Sequence, residues 1–547
     1  MPVLIEESEI LQAEVSLAEI APQFDNERLP EARVFNPWIV ALVVTIGTFM
    51  EVLDTSIANV ALPHISGSLS ASQDEGAWVL TSYLVANAIV LPISGWLSSI
   101  MGRKNFYLTS VFFFTVFSAA CGLASTLGML ILFRVAQGLA GGGLQPSVQA
   151  ILADTFSAQK RGMAMALYTV AILVAPVLGP TLGGWITDNY SWRWIFYINI
   201  PVGILCVILT RIVLEDPPYM KEAMAKARNV AIDWGGLGFI SLGLATLEIV
   251  LDKGQELDWF GSSFIVFFAS VAVIALVAAV FWELHVKNPV VNLRLLKERN
   301  FTVCCLIIMG LYAVLYATTY LLPTFMQQMM GYDATTAGLA LSPAGIFTMI
   351  EVPFVGYILT KGYDPRKMVF SGILIIATAC WWMGSLNLDV AEHNFIIPRI
   401  VQVMGLGLIT VPVSTIVFRF IPKTESSQGA GLYALVRNEG GSLGIALVST
   451  MVQRKAQVFQ TVLGQHMTAS NPMVQQAVAQ MSAVPGNHAD THYFALAQLY
   501  QKMQQQASLL AYMDQFKMLA GVMLLMLPLV FFLKRPPAQK HVELEAH

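Results

Sequence analysis

The chain has 547 residues, of which 56% are hydrophobic and only 12% charged; its mean hydropathy is +0.64 and its formal net charge -4. A soluble domain carries about 25% charged residues, so that class is excluded, and the near-neutral balance argues against a nucleic-acid partner. Cys121, Cys206, Cys304, Cys305 and Cys380 all sit in apolar stretches without metal-ligand or disulfide-framework spacing, so no metal site is expected.

Residues 1–36 are polar and acidic and lack the basic lead of a cleavable signal, so a cytoplasmic tail with one short interfacial helix is expected. Apolar stretches long enough to cross a bilayer then follow at 37–59, 78–98, 106–124, 128–150, 164–187, 194–214, 235–251, 261–283, 301–322, 336–360, 367–386, 395–416, 429–452 and 515–533. Lys and Arg concentrate in every second gap, as in Arg103-Lys104, Lys160-Arg161 and Arg366-Lys367. By the positive-inside rule both termini are then cytoplasmic. Residues 453–514, rich in Gln and Met, read as a polar helical hairpin outside the membrane, with a disordered loop as the alternative.

Charged residues inside these spans each need a reason, because an ionised side chain at the bilayer centre costs about 2.5–3.5 kcal/mol on insertion scales. Glu51 and Asp54 stand three apart in the first span and share a helix face, with Asn59 further along. Adjacent carboxylates resist being ionised together, which suits one of them to carrying a proton. Arg134, early in the fourth span, is their expected partner, either to steer that proton or only to hold helices together. Glu351 in the tenth span is expected to be a second relay or a cation site. Glu248 is expected near the headgroups, Arg437 and Glu439 are expected to neutralise each other, and Arg399 is expected to snorkel to the interface. In the fifth span Pro176, Gly179, Pro180, Gly183 and Gly184 predict a bent helix with close contacts, hence a hinge.

The chain also repeats itself. Leu62-Pro63 returns as Leu322-Pro323, Pro92-x-x-Gly95 as Pro353-x-x-Gly356, Gly102-Arg103-Lys104 as Pro365-Arg366-Lys367, and Arg134-x-x-Gln137 as Arg399-x-x-Gln402. The expected fold is an all-α polytopic membrane protein of 14 helices arranged 6+2+6. A six-helix bundle at 37–214 and another at 301–533 flank two inserted helices at 215–300, and a short tail covers 534–547. Such repeats enclose a substrate site near the midplane.

These residues resemble the major facilitator superfamily, in particular its fourteen-helix drug:proton antiporter branch of the EmrB/QacA type. Leu53-Asp54-Thr55-Ser56-Ile57-Ala58-Asn59 resembles the branch's first-helix signature, Arg134-x-x-Gln137-Gly138 its fourth-helix motif, and Gly179-Pro180-x-x-Gly183-Gly184 its fifth-helix antiporter motif. Trp192-Arg193-Trp194 through Gly203 is also typical of it. The loop Gly95, Gly102, Arg103 and Lys104 resembles the family's cytoplasmic gate, with Ser99 where the family places Asp.

The resemblance implies proton-coupled efflux of lipophilic or cationic small molecules, with no cofactor and no enzymatic activity. It also implies an inner-membrane permease working with a periplasmic adaptor (a membrane fusion protein) and an outer-membrane channel. The alternative is a specific metabolite or siderophore exporter or symporter of the same fold. Asn59, Trp78, Tyr83, Gln137 and Tyr168 are expected to line the substrate cavity.

Overall fold

The structure, a computed structural model, describes residues 35–157, 160–216, 233–287, 289–332, 334–386, 393–422, 425–468, 470–482 and 491–534. The expected terminal tails therefore lie almost wholly outside the described residues. The described chain is helical, without a strand.

Twelve helices among the described residues are long and apolar enough to cross a membrane, and a bent pair makes thirteen. In chain order, α1 (Pro37–Ser68), α2 (Gln73–Met101) and α3 (Arg103–Leu123) come first. The fourth apolar segment is broken into α4 (Leu127–Gly141) and α5 (Leu144–Thr155) at the Gly141-Gly142-Gly143 run. Next come α6 (Arg161–Asn189), the single turn α7 (Trp194–Tyr197), α8 (Asn199–Val213), α9 (Trp234–Lys253) and α10 (Ser263–His285). The remainder comprises α11 (Arg299–Met330), α12 (Ala334–Thr360), α13 (Pro365–Met383), α14 (His393–Ile416), α15 (Ser426–His466), α16 (Pro472–Ser482), α17 (Thr491–Leu525) and α18 (Leu527–Phe531). The chain is a multi-pass membrane protein.

Local signals set several of these boundaries. Ser72 and Glu75 form a reciprocal capping box at the start of α2. Glu298 accepts the Phe301 amide at 2.9 Å to open α11, and Asp364 with Pro365 opens α13. Gly102 joins α2 to α3 at φ +82°, a backbone that L side chains avoid, so the turn requires glycine there.

Helix α6 bends by 44° between Arg161–Pro176 and Thr181–Asn189. Proline 180 has no amide hydrogen to give the Pro176 carbonyl, so that bond is missing from the helix. Ser56 of α1 fills the gap, its Oγ donating to the Pro176 carbonyl at 3.1 Å. A Cβ on Gly179 would strike Ser56, and one on Gly183 would come within 3.2 Å of the Ile57 carbonyl. The bend and the α1–α6 seam thus have one cause: two prolines and two glycines on one stretch of helix.

Helix α15 is not among the apolar spans, yet it packs against α2, α11 and α17. Its buried face is built on glycine: a Cβ on Gly440 would meet Met309 and one on Gly444 would meet Ala313, both on α11. An interior helix that presents little of itself to lipid can stay polar and small. At 41 residues it is about 60 Å long, twice the thickness of the hydrocarbon core. Beyond the apolar region it pairs with α17 through Lys455–Asp514 at 3.0 Å and Gln460–Tyr500 at 3.2 Å.

Candidate functional site

Asp54 lies on α1 with 2% of its surface exposed, and every group around it donates. Arg134 of α4 gives it a 2.7 Å ion pair, Gln137 a hydrogen bond at 3.1 Å, and Asn199 of α8 one at 2.6 Å. Arg134 is fully buried, also donates to Gln137 at 3.0 Å and to the Val79 carbonyl at 3.2 Å, and lies 4.2 Å from the Tyr83 ring centroid. Asn199 is braced in turn by Ser118 at 3.0 Å. The arrangement is an ion pair buried from solvent, where electrostatic interactions are strongest and adding or removing a proton has the largest effect on neighbouring helices.

One turn earlier on the same helix, Glu51 faces another set of partners. Asn87 of α2 donates to it at 3.1 Å and Gln145 of α5 at 2.8 Å. The carbonyl oxygen of Gln145 accepts from Arg437 of α15, and Arg437 also donates to the Tyr168 hydroxyl at 3.0 Å and lies over Tyr312 at 5.4 Å. A protonatable carboxylate in the first half of the chain is therefore joined through one amide to a cation in the second half.

At the end of the molecule bearing the basic loops, the two halves touch backbone to backbone. A Cβ on Gly95 would lie 2.5 Å from the Gln428 Cα and 2.6 Å from the Ser427 carbonyl; one on Gly356 would lie 3.2 Å from the Met163 Cα. Arg103, buried, spans the same seam. It pairs with Asp154 of α5, donates to the Ala150 carbonyl, and donates to Ser426 and Ser427 at the start of α15, both at 2.9 Å. Ser99 turns back onto its own helix, donating to the Trp96 carbonyl at 2.7 Å. The Lys104 amide donates to Asp216 at 3.0 Å.

Between α6, α11, α12 and α14 lies a cavity of roughly 710 Å³, its open side included. Its wall is largely apolar, from Ile172, Leu173 and Pro176 on one side to Leu341, Val403 and Leu406 on the other, and Tyr312, Tyr316, Thr319, Thr348 and Arg399 bring polar groups to it.

Residues 44–445, some three quarters of the chain, match the Major Facilitator Superfamily. The chain belongs to that superfamily. It is 36% identical over 501 residues to the multidrug export protein EmrB of Escherichia coli strain K12, covering 91% of this chain and 95% of that one. It is also 36% identical over 504 residues to the multidrug export protein EmrB of Haemophilus influenzae, covering 92% and 97%. Among solved structures it is similar to a double-tryptophan variant of XylE, with a TM-score of 0.59 and 12% identity over 92% of this chain and 97% of that chain. At that identity the likeness bears on the fold alone.

The structure brings Asp54, Arg134 and Gln137 together and sends Glu51 elsewhere, although the two acids are only a turn apart. Glu351 is remote from both; its carboxylate rests against Gly407 of α14, and neither oxygen has a hydrogen-bond partner among the described residues. The residues expected around the substrate do not line the cavity. Gln137 serves Asp54, Tyr83 lies under Arg134, Tyr168 holds Arg437, Trp78 lies 5.9 Å from Lys253, and Asn59 is exposed. Pro176 of the hinge set does line it, while Gly184 faces open space.

Four charged residues also sit differently from expectation. Arg399 does not snorkel: it is buried, donating to Thr318, Thr319 and Gln402. Glu248 is buried too and accepts from Ser442 of α15 at 2.9 Å. Arg437 and Glu439 do not neutralise each other, because residues two apart on a helix point to nearly opposite faces. Asn87, Gln145 and Asn199 escaped the sequence reading; each is an amide inside an apolar helix, which was the available signal.

Proposed function

We propose that this chain is a proton-coupled multidrug exporter of the inner membrane that exchanges protons for amphipathic small molecules. It crosses the bilayer fourteen times, the thirteen apolar spans being completed by α15, in a 6+2+6 arrangement with both termini cytoplasmic. The superfamily membership and the likeness to proteins named for multidrug export support this reading. The observation that carries it is the amide bridge from Glu51 through Gln145 to Arg437.

The bridge works by hydrogen-bond polarity. An ionised Glu51 only accepts, so the Gln145 amide turns its NH₂ toward it and leaves its carbonyl for Arg437. A protonated Glu51 gains an O–H to donate, competes for that carbonyl, and frees Arg437 from the first half of the chain. The Asp54–Arg134 pair is the second proton site, since protonating Asp54 leaves Arg134 without its counter-ion and favours a rearrangement that supplies another. Glu351, buried and without a hydrogen-bond partner among the described residues, serves as a second relay. The α1–α6 seam is the hinge, and the contacts of Gly95 and Arg103 are the cytoplasmic gate.

The extension of α15, α16 and α17 beyond the apolar region supports a role as the permease of a tripartite pump, offering a dock for a periplasmic adaptor that leads to an outer-membrane channel. Capture of such an adaptor should be lost when residues 456–512 are deleted.

The test of transport is dye accumulation in everted vesicles under an imposed pH gradient. Wild-type vesicles should accumulate a lipophilic dye, and vesicles carrying Asp54→Asn or Glu51→Gln should not. No accumulation of any amphipathic dye by wild type would sink the exporter reading, and normal proton exchange by Asp54→Asn would remove Asp54 from the mechanism.

A further inference from the structure

The two halves of the chain hold their buried arginines by the same pattern but with different counter-groups. In the first half, Arg134 donates to Asp54 and Gln137, Gln137 donates to Asp54, and the Cys121 thiol lies 3.5 Å from the Gln137 amide oxygen. In the second, Arg399 donates to Thr318 at 2.9 Å and to Gln402 at 2.6 Å. Gln402 donates to Thr318 at 2.9 Å, and Cys380 sits against the Gln402 amide at 3.8 Å. Thr318 takes the seat of Asp54.

A hydroxyl can satisfy a guanidinium's hydrogen bonds but carries no charge to balance it. Among the described residues no carboxylate lies within ion-pair distance of Arg399, which is only 7% exposed. Glu351 lies against Gly407, eight residues and about 12 Å further along α14. A buried, uncompensated charge within a membrane protein is costly and calls for a functional explanation. Its position supplies one. Arg399 and Thr319 both face the 710 Å³ cavity, Arg399 is the one charged side chain among its lining residues, and Arg437 adds a second cation behind Tyr312.

We propose that this cavity takes amphipathic molecules with an anionic head, a carboxylate or sulfonate, and that Arg399 with Thr319 is the subsite that receives the head. The apolar part lies against Ile172, Leu173, Leu315 and Leu341. The proposal rests on the cavity being the substrate site, and it puts anionic amphiphiles where the resemblance implied lipophilic or cationic ones. The guanidinium fork matches a carboxylate with two parallel hydrogen bonds, which a single hydroxyl cannot do.

The experiment is equilibrium binding of a dansyl-labelled aliphatic carboxylate, and of its methyl ester, to the purified full-length protein in an uncharged detergent. Wild type should prefer the acid. Arg399→Gln should weaken the acid about 10- to 100-fold, the worth of a charge-assisted hydrogen bond or two, while leaving the ester unchanged. Thr318→Asp, which supplies the internal counter-ion that Arg134 already has, should weaken the acid likewise with the guanidinium still present. Equal binding of acid and ester by wild type, or an equal loss of both in Arg399→Gln, overturns the subsite. If wild type binds neither probe yet its vesicles still accumulate dye, the cavity assignment fails while the exporter reading stands. Phosphatidylglycerol added to the micelles separates the two sources of such a head: an unchanged preference supports a transported molecule, and full displacement of the probe assigns the subsite to a lipid headgroup and overturns the proposal.

Discussion

Replacing Gly95 by alanine tests the gate through backbone packing alone. The new Cβ would lie 2.5 Å from the Gln428 Cα, against an ordinary carbon–carbon contact of about 3.5–4.0 Å, so the seam must widen by about 1 Å. Both atoms it meets, the Gln428 Cα and the Ser427 carbonyl oxygen, are backbone, so no side-chain rotation relieves the clash. Overpacking of this kind costs about 1–3 kcal/mol. In a molecule that rocks between two states the whole cost falls on the state in which the seam is shut. The ratio of shut to open gate should therefore drop by about 5- to 150-fold. Spin labels at Lys160 and Tyr363, exposed residues on either side of that end, report the change as a longer label-to-label distance. Gly95→Ala should expand that distance and slow dye accumulation while the protein remains folded in detergent. An unchanged distance together with wild-type transport would refute the argument that this contact is the gate.

Other outcomes follow from single hydrogen bonds. Ser56→Ala should leave the Pro176 carbonyl without its donor and lower unfolding stability by about 1–3 kcal/mol, measured by thermal denaturation in detergent. Gln145→Leu keeps the shape of the side chain but severs Glu51 from Arg437; dye should still bind while gradient-driven accumulation falls at least about tenfold. If accumulation is unimpaired, the amide bridge does not couple the halves. Asn199→Leu should remove the 2.6 Å donor to Asp54 and slow gradient-driven dye accumulation, while Asn199→Ser should restore part of the wild-type rate.

Most of the span pattern was legible because hydropathy and loop charge record what lipid and membrane potential demand of a chain. Helix α15 was legible for the same reason only in part: its apolar residues are interspersed with Gly440, Gly441 and Gly444, which answer to neighbouring helices and not to lipid. The site was readable one helix at a time. Asp54 and Arg134 each stood out as a charge in an apolar run, and their pairing was inferred. What a single sequence could not convey is which face meets which neighbour. Glu51 and Asp54 are about 60° apart around α1, enough to give one to α4 and α8 and the other to α2 and α5. Arg399 looked interfacial because its span seemed to start four residues earlier; only the threonines of α11, brought in from elsewhere in the chain, show why it can stay inside.

The length of α15 has a mechanical meaning. Its glycine face packs on α11 at Gly440 and Gly444, and its end at His466 lies about 40 Å from Gly440 along one continuous helix. A rotation of about 10° at that point moves that end sideways by about 7 Å. The helix has the geometry of a lever: a small rotation at the glycine seam becomes a displacement several times larger at its far end.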